Sequence, residues 1–343
     1  MILLLGADGY VGQTFARALR SRKDSFIPLS RQAFDYTRFE FLFDYVRKVK
    51  PDLVINAEDA NGDMEWWSEG GKGNGVRGGE CGADGSVGEV DRMEMLQVNV
   101  LLPQTVARVC SMTNTPWAHV SSGSIYRGAT VSENGKPRLE SDLSLPAMRR
   151  LFASQPHQFR GFTELDEPNS SFKFAPCSFY SGTKALAEEA IREHREGYIW
   201  RLRLPFNHHD GPRNFLTKLS NLDYVCDAIH CLSHVDDCVK ACLELWERRA
   251  AFGMYNVVNS GGITTGEVIE MMQRILKPPR RFNLLVYESQ TFPRAGTEPQ
   301  SGCLLDSSKL VANGIRLRHV RLAIENSLQK WQLQASQAVS ISA

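Results

Sequence analysis

The sequence has no excess of charge of either sign and no long apolar run. Its 343 residues include 40 basic and 39 acidic side chains. This balance creates no field that would attract nucleic acid or an anionic membrane, so we expect neither as a partner. The apolar run at residues 1–5 is too short for a signal peptide or a membrane span, which predicts a cytoplasmic protein.

The sequence also lacks the spacing of a metal site. Its eight cysteines form no metal-binding pairs, and Cys231, Cys238 and Cys242 recur at helix-like intervals, as small buried residues do. The adjacent side chains of His208 and His209 point apart, and no HxxxH motif or carboxylate triad accompanies them. We therefore expect reduced structural thiols and no metal.

Short apolar runs alternate with amphipathic stretches through the first 205 residues. The apolar runs predict strands and the amphipathic stretches predict helices. The predicted strands are 2–5, 26–29, 53–56, 117–121 and 198–204, and the predicted helices begin near residues 10, 37, 93 and 181. This order predicts an α/β fold, a Rossmann-type doubly wound parallel sheet of six or more strands.

Two stretches interrupt this alternation. Residues 69–91 are dense in glycine, which predicts a mobile surface loop. Residues 127–177 are rich in proline, serine and charge, which predicts a long irregular segment that forms a lip over the substrate. After Leu204 the pattern changes to loops, short strands and helices, which predicts a smaller C-terminal lobe.

A glycine-rich turn joins the first predicted strand to the first predicted helix. Gly6, Gly9 and Gly12 follow the spacing GxxGxxG. Gly6 permits the tight turn, Gly9 lets the backbone approach a pyrophosphate, and Gly12 allows close packing of helix on strand. The free N–H groups of the following helix, from Tyr10 and Val11 onward, favour phosphate. The turn therefore predicts a dinucleotide site.

The end of the second predicted strand indicates which dinucleotide binds. An acidic residue there selects NAD, but this strand ends in Ser30 and Arg31. A hydroxyl and a guanidinium suit a 2′-phosphate, which favours NADPH, with NADH as the alternative. If Arg31 is instead a solvated loop residue, Asp35 would contact the adenine.

A tyrosine and a lysine four residues apart begin a later helix. Tyr180 and Lys184 therefore lie on the same face, where the ammonium favours the phenolate and can bind the nicotinamide ribose. Ser122 follows the strand at 117–121, at the sheet edge where α/β proteins bind ligands. These three residues predict an acid–base site that protonates a carbonyl oxygen.

Together these motifs resemble the extended short-chain dehydrogenase/reductase family. Within it, the resemblance is to the dTDP-4-dehydrorhamnose reductase branch and its plant-type UDP-4-keto-6-deoxyglucose epimerase/reductases. The matching blocks are 6–12, 54–57, Asn99, 120–126, 179–184, 201–205 and 212–218. The resemblance implies reduction of the C4 keto group of a nucleotide-linked 4-keto-6-deoxy sugar, with Ser122, Tyr180 and Lys184 as catalytic residues.

The resemblance also implies further site residues and a division of the chain. Asn56, Ala57 and Pro205 would line the cofactor, and the residues near the nucleotide sugar would be Ser122, Ser124, Arg213, Asn214 and Lys218. Residues 1–205, with a return segment at 230–260, form the expected NAD(P)-binding domain. Residues 206–229 and 261–335 form the smaller substrate-binding lobe. A homodimer is one assembly that the sequence permits.

Three positions depart from the family pattern. The combined epimerase/reductases carry a cysteine where this chain has Ser124, and a hydroxyl is a poorer acid or base than a thiol, so we expect reduction without epimerisation. The loop that begins with Glu58 and Asp59 is acidic where the family carries apolar residues and threonine. Gln300 replaces an arginine of the family, which removes a cation from the substrate side.

Two other functions remain open at this point. One is an epimerase or dehydratase that keeps NAD bound and recycles its hydride, which Arg31 argues against. The other is a silent NADP-binding subunit, because the same branch includes a regulatory partner of methionine adenosyltransferase. The intact Ser122, Tyr180 and Lys184 set favours an enzyme.

Overall fold

The computed structural model describes residues 1–60, 92–133, 135–175, 177–222, 224–278, 281–285 and 302–342. Strands and helices alternate in its first half, as the sequence predicts. The strands are β1 Ile2–Leu5, β2 Phe26–Leu29, β3 Leu53–Asn56, β4 Trp117–Ser122, β5 Ala129–Glu133, β6 Lys136–Glu140, β7 Phe159–Arg160, β8 Gly197–Leu202, β9 Pro205–Phe206, β10 Tyr224–Cys226, β11 Ile229–His230, β12 Ser233–His234, β13 Gly253–Asn256, β14 Ile263–Thr264 and β15 Asn283–Leu285. The α-helices are α1 Tyr10–Arg22, α2 Phe39–Val49, α3 Leu102–Thr113, α4 Pro146–Ser154, α5 Phe179–Ile191, α6 Phe215–Ser220, α7 Val235–Glu247, α8 Thr265–Ile275, α9 Ser308–Ala312 and α10 Val320–Ser342.

Six strands form the central sheet, in the order β2, β1, β3, β4, β8, β13. Every neighbouring pair is parallel. Along the chain, β2 is added on one side of β1, and β3, β4, β8 and β13 are added in turn on the other side. The strand order therefore reverses between β1 and β3. This arrangement confirms the predicted Rossmann-type parallel sheet, and such a reversal is where α/β proteins bind ligands.

Helices cover both faces of the sheet. Alternate residues of β1 show this, because Leu4 packs in one buried cluster with residues of α1 and α7. Leu3 and Leu5 pack in the opposite cluster with residues of α2, α3 and α5. A strand buried on both faces must be apolar throughout, which is why the β1 sequence is a continuous apolar run.

A separate cluster of buried residues forms in the second half of the chain. It joins Phe215 of α6, Met272 of α8 and Leu328 of α10. By contrast, α7 packs on α1, and β13 forms an edge of the central sheet. The division into two domains at residue 205 stays a prediction.

The expectation of an irregular segment at 127–177 was wrong. Strands β5, β6 and β7 form a three-stranded antiparallel sheet there, and α4 lies between β6 and β7 in the chain. Four of the five residues of β6 are exposed, so the sequence shows no apolar alternation that would mark a strand. The glycine-rich stretch 69–91 lies outside the described residues.

The helix predicted over 93–111 is interrupted. A π-helical turn covers Gln97–Leu101, and Leu102 donates its backbone N–H to the Gln97 carbonyl five residues back. Pro103 has no N–H to bond the Asn99 carbonyl, which explains a wider turn at this point. None of the helices in the described part of the chain combines the length and apolar character that a membrane span requires.

Candidate active site

The candidate active site lies where β1, β3 and β4 end. Because these strands are parallel neighbours, Gly6 after β1, Ala57 after β3 and Ser122 at the end of β4 meet at one edge of the sheet. Ala57 donates its N–H to the Leu5 carbonyl at 3.0 Å, which ties the two loops together. The predicted cofactor and catalytic residues therefore converge at the point where the strand order reverses.

The glycine turn has the geometry expected of a phosphate cradle. Gly6 has a φ of +76°, and a Cβ on it would lie 2.7 Å from the Glu58 nitrogen. A Cβ on Gly12 would lie 1.8 Å from the Gly6 carbonyl oxygen, so only glycine permits this close packing. At Gly9 the nearest atom to a Cβ is 3.4 Å away, so packing does not demand glycine there. Access of a ligand to the backbone is the remaining reason for Gly9.

Helix α1 starts at this turn with Gly9 as its N-cap and no acidic residue in its first turn. No described side chain caps its backbone N–H groups. Tyr10 and Val11 place their side chains against the core, which leaves the backbone of the first turn facing the sheet edge. A helix start of this kind can accept an anion.

Arg31, which is predicted to select the cofactor, is held by two acidic partners. Arg31 lies 3.4 Å from Glu58 and 3.1 Å from Glu94. The buried Tyr36 hydroxyl accepts the Gly6 N–H at 3.0 Å and donates to Glu58. Glu58 thus places a carboxylate between the glycine turn and Arg31. A ribose phosphate would have to compete with this carboxylate for the Arg31 guanidinium.

Two other predicted cofactor residues have local roles in this structure. Asp35 accepts hydrogen bonds from the backbone and hydroxyl of Thr37, which fixes the turn before α2. Ser30 accepts the Ala33 N–H at 3.4 Å. Their predicted contacts with a cofactor stay predictions.

The catalytic candidates are brought together by α5 and β4. Helix α5 begins at Phe179 rather than at Ser181, because the Ser178 side chain caps it by accepting the Ser181 N–H at 3.0 Å. Tyr180 and Lys184 therefore lie one turn apart, with the Lys184 ammonium 5.6 Å from the centre of the Tyr180 ring. Ser122 completes the set, because it lies near enough to the Tyr180 hydroxyl to lower the pKa of Tyr180.

A carboxylate also reaches this set. Lys184 Nζ lies 2.7 Å from Asp59 Oδ1, and the Tyr180 hydroxyl donates to the same oxygen at 3.1 Å. Burial, followed by the Asp59 charge, raises the pKa of Tyr180 well above its ordinary value, although Ser122 and Arg213 act in the opposite direction. The phenol is therefore protonated at neutral pH.

The predicted substrate residues occupy different surroundings. Arg213 reaches the catalytic set, with Nη1 donating to the Asp59 carbonyl oxygen at 3.0 Å. Asn214 is fully buried, caps α6, and donates to the carbonyls of Asn207 and His209. Lys218 lies in the last turn of α6. Their roles toward a substrate stay predictions.

Ser124 lies directly beside Ser122, and Pro205 follows β8, the neighbour of β4 in the sheet. Ser124 is 5% exposed, its N–H donates to Ser122 Oγ at 3.2 Å, and its own hydroxyl has no partner among the described residues. Pro205 begins β9, which pairs with β12. The partnerless hydroxyl points to a polar ligand or water beside Ser122.

Sequence reasoning missed several residues that shape this site. Asp59 was noted only as a departure from the family, and nothing local in the sequence shows that its carboxylate meets Lys184. His119, which bonds the Asn56 side chain, was not predicted, whereas Asn99, which clamps the loop after β3, belongs to the blocks that resemble the family. Tyr36 also has no sequence signal. Pro103 accounts for the π turn around Asn99, a residue that the family resemblance had already singled out.

Comparisons with known proteins agree with this picture. A trifunctional UDP-glucose 4,6-dehydratase/UDP-4-keto-6-deoxy-D-glucose 3,5-epimerase/UDP-4-keto-L-rhamnose-reductase, RHM1 of Arabidopsis thaliana, is 30% identical over 293 residues, which are 84% of this chain and 36% of that protein. The chain thus spans about a third of the length of the trifunctional relatives it matches. A bifunctional dTDP-4-dehydrorhamnose 3,5-epimerase/dTDP-4-dehydrorhamnose reductase of the same plant is 24% identical over 344 residues, covering 99% of this chain and 95% of that one.

The chain also resembles a solved structure in its fold and matches a family model in its sequence. The crystal structure of a dTDP-4-dehydrorhamnose reductase from Bacillus anthracis in complex with NADP superimposes with a TM-score of 0.67 at 16% identity, covering 97% of this chain and 98% of that one. At this identity the likeness shows the fold alone. Residues 84–333 match the model of the RmlD substrate binding domain. Because this match covers well over half of the chain, the protein belongs to the RmlD substrate-binding domain family.

Proposed function

We propose that the protein reduces the C4 keto group of a nucleotide-linked 4-keto-6-deoxy sugar with NADPH. One observation carries the proposal: Ser122, Tyr180 and Lys184 converge beside the glycine turn, with Arg213 next to them. Membership of the RmlD family and the activities of the Arabidopsis relatives support the same reaction.

The glycine turn fits a dinucleotide cofactor. Gly6 and Gly12 are sterically required in it, and α1 presents an uncapped N-terminus to the pyrophosphate. Lys184 would bind the nicotinamide ribose, and Asn56, Ala57 and Pro205 would line the remaining wall. NADP in the Bacillus anthracis reductase supports this choice, and the bound cofactor supplies the hydride.

Each catalytic side chain has one task in this proposal. The Tyr180 hydroxyl holds the proton that goes to the C4 oxygen as the carbonyl becomes an alcohol. Ser122 donates a hydrogen bond to the oxygen as it gains negative charge. Lys184 supplies the positive charge that makes Tyr180 a better acid, and Arg213 would bind the diphosphate of the substrate.

Arg31→Ala tests the choice of cofactor. We expect NADPH to bind about tenfold more weakly and NADH to change by less than about twofold, because one charged hydrogen bond to the 2′-phosphate is lost. Titration of the intrinsic fluorescence of each reduced cofactor measures both affinities. Arg20→Ala removes the same charge from the exposed face of α1 and serves as the control. Equal losses for the two cofactors would contradict a role of Arg31 in selection.

The proposal includes reduction without epimerisation, because Ser124 stands where the combined enzymes have a thiol. Absorbance of the reduced nicotinamide, followed with NADPH and either dTDP- or UDP-4-keto-6-deoxyglucose, tests both parts. Oxidation that requires an added 3,5-epimerase is the expected result. Oxidation together with an epimerised product, in the absence of that enzyme, would refute the second part, and no oxidation with either sugar would refute the first.

A second candidate is a silent NADP-binding subunit. The ion pair between Asp59 and Lys184 favours this function, because the carboxylate engages the ammonium that catalysis would need. Clear binding of NADPH without its oxidation in the presence of any 4-keto sugar would identify this function.

The NAD-retaining epimerase or dehydratase is less well supported, because no acidic residue ends β2. A cytoplasmic location and a homodimer are further parts of the proposal, which cell fractionation and sedimentation test.

A further inference from the structure

Asp59 occupies the centre of the candidate active site. Its Oδ1 atom lies 2.7 Å from Lys184 Nζ and accepts the Tyr180 hydroxyl at 3.1 Å. Its Oδ2 atom lies 3.7 Å from Arg213 Nη1. The Lys184 side chain is 1% exposed and that of Asp59 is 27% exposed, so the carboxylate is partly open to solvent while it shields the ammonium.

The backbone on both sides of Asp59 is fixed. Before it, the Glu58 N–H donates to Asn56 Oδ1 at 3.2 Å. After it, Ala60 exchanges two hydrogen bonds with the Asn99 side chain, at 3.0 and 2.9 Å. Asn99 also donates to the Thr183 hydroxyl of α5, next to Lys184 in the chain. These hydrogen bonds therefore hold the loop in a position where the Asp59 carboxylate meets α5.

The charges around Asp59 keep it ionised. Burial opposes its ionisation, but Lys184, Arg213 and the Tyr180 hydroxyl together hold the pKa of Asp59 below its usual range. His119, on β4, also faces this group, and burial followed by the Lys184 charge lowers the pKa of His119 to about 3. The imidazole is thus neutral, and the facing charges are those of Lys184 and Arg213.

We propose that Asp59 is a positioning residue that holds Lys184 and Tyr180, competes for them with the nicotinamide ribose and the keto oxygen, and must release both before reduction. The inference rests on the proposed function, in which Lys184 binds the nicotinamide ribose and Tyr180 meets the keto oxygen. Ribose hydroxyls and the Asp59 carboxylate accept hydrogen bonds from the same ammonium, so the two compete for it. The carboxylate also favours the protonated phenol, which makes Tyr180 a weaker acid than Lys184 alone would make it.

Asp59→Asn tests this competition because it removes the charge and keeps the shape. We expect NADPH to bind about tenfold more tightly, as loss of a competing charged contact allows. We also expect the phenolate absorbance of Tyr180 to appear at lower pH in the cofactor-free variant, with Tyr180→Phe identifying that signal. Asp52→Asn is the matched control, since Asp52 precedes β3 at the opposite edge of the sheet. Asp59→Thr provides a second variant if the first does not fold.

Both readouts use protein without sugar, which separates this inference from the proposed reaction. Unchanged NADPH affinity and an unchanged Tyr180 titration in folded Asp59→Asn and Asp59→Thr would overturn the role of Asp59, even if the wild-type protein reduces the sugar. If both readouts shift as expected while no variant oxidises NADPH with a 4-keto sugar, the role of Asp59 stands and the reductase proposal fails.

Discussion

Tyr180→Phe is expected to lower the rate of keto-sugar reduction by about a thousandfold and to change NADPH affinity by less than about twofold. The variant keeps the ring beside Lys184 but removes the hydroxyl that lies between Ser122 and Asp59. No other described hydroxyl in hydrogen-bond contact with Ser122 can take over the proton transfer. Stopped-flow oxidation of NADPH measures the rate, and cofactor fluorescence measures the affinity.

The control for this prediction is Tyr198→Phe. The Tyr198 hydroxyl donates to the Ala250 carbonyl at 2.6 Å, far from the carboxyl edge of the sheet. Tyr198→Phe therefore removes one tyrosine hydrogen bond, as Tyr180→Phe does, but leaves the candidate site unchanged. Full activity in Tyr180→Phe would show that the proton comes from another group, and the assignment of the acid would then be wrong.

Gly12→Ala is expected to weaken NADPH binding by about a hundredfold or more. Its Cβ would lie 1.8 Å from the Gly6 carbonyl oxygen, so the turn and α1 must move apart. Displacement of the turn would remove the backbone N–H groups proposed to hold the pyrophosphate, at a cost of several hydrogen bonds to a charged group.

Gly211→Ala is the matched control, because a Cβ there meets no described atom within 4 Å. Circular dichroism and thermal unfolding establish whether each variant is folded. Folded Gly12→Ala protein that binds NADPH as tightly as the wild type would contradict the assignment of this turn to the cofactor.

Much of the fold could be predicted because its signals are local. The β1 run is apolar at every position, which is how a strand covered on both faces must read. The GxxGxxG turn and the Tyr180 and Lys184 spacing are also set within a few residues of chain. By contrast, β6 is mostly exposed and carries no alternation, so that strand left no pattern to detect.

The acidic part of the site could not be predicted for a different reason. Asp59 and Lys184 are 125 positions apart, and their contact depends on the relative placement of β3 and α5. The sequence shows that Glu58 and Asp59 are unusual for the resembling family. Only the folded chain shows that Glu58 contacts Arg31 and that Asp59 contacts Lys184.

The reduction itself is tested most directly by isotope transfer. NADPH carrying deuterium at C4 of the nicotinamide, in the position that is transferred, is incubated with the protein, the 4-keto-6-deoxy sugar nucleotide and a 3,5-epimerase, and the product is analysed by mass spectrometry and NMR. One deuterium at C4 of the sugar is the predicted result, and Tyr180→Phe should reduce its rate of appearance. Failure of any deuterium to reach the sugar, with NADPH bound and the protein folded, would contradict a reductase.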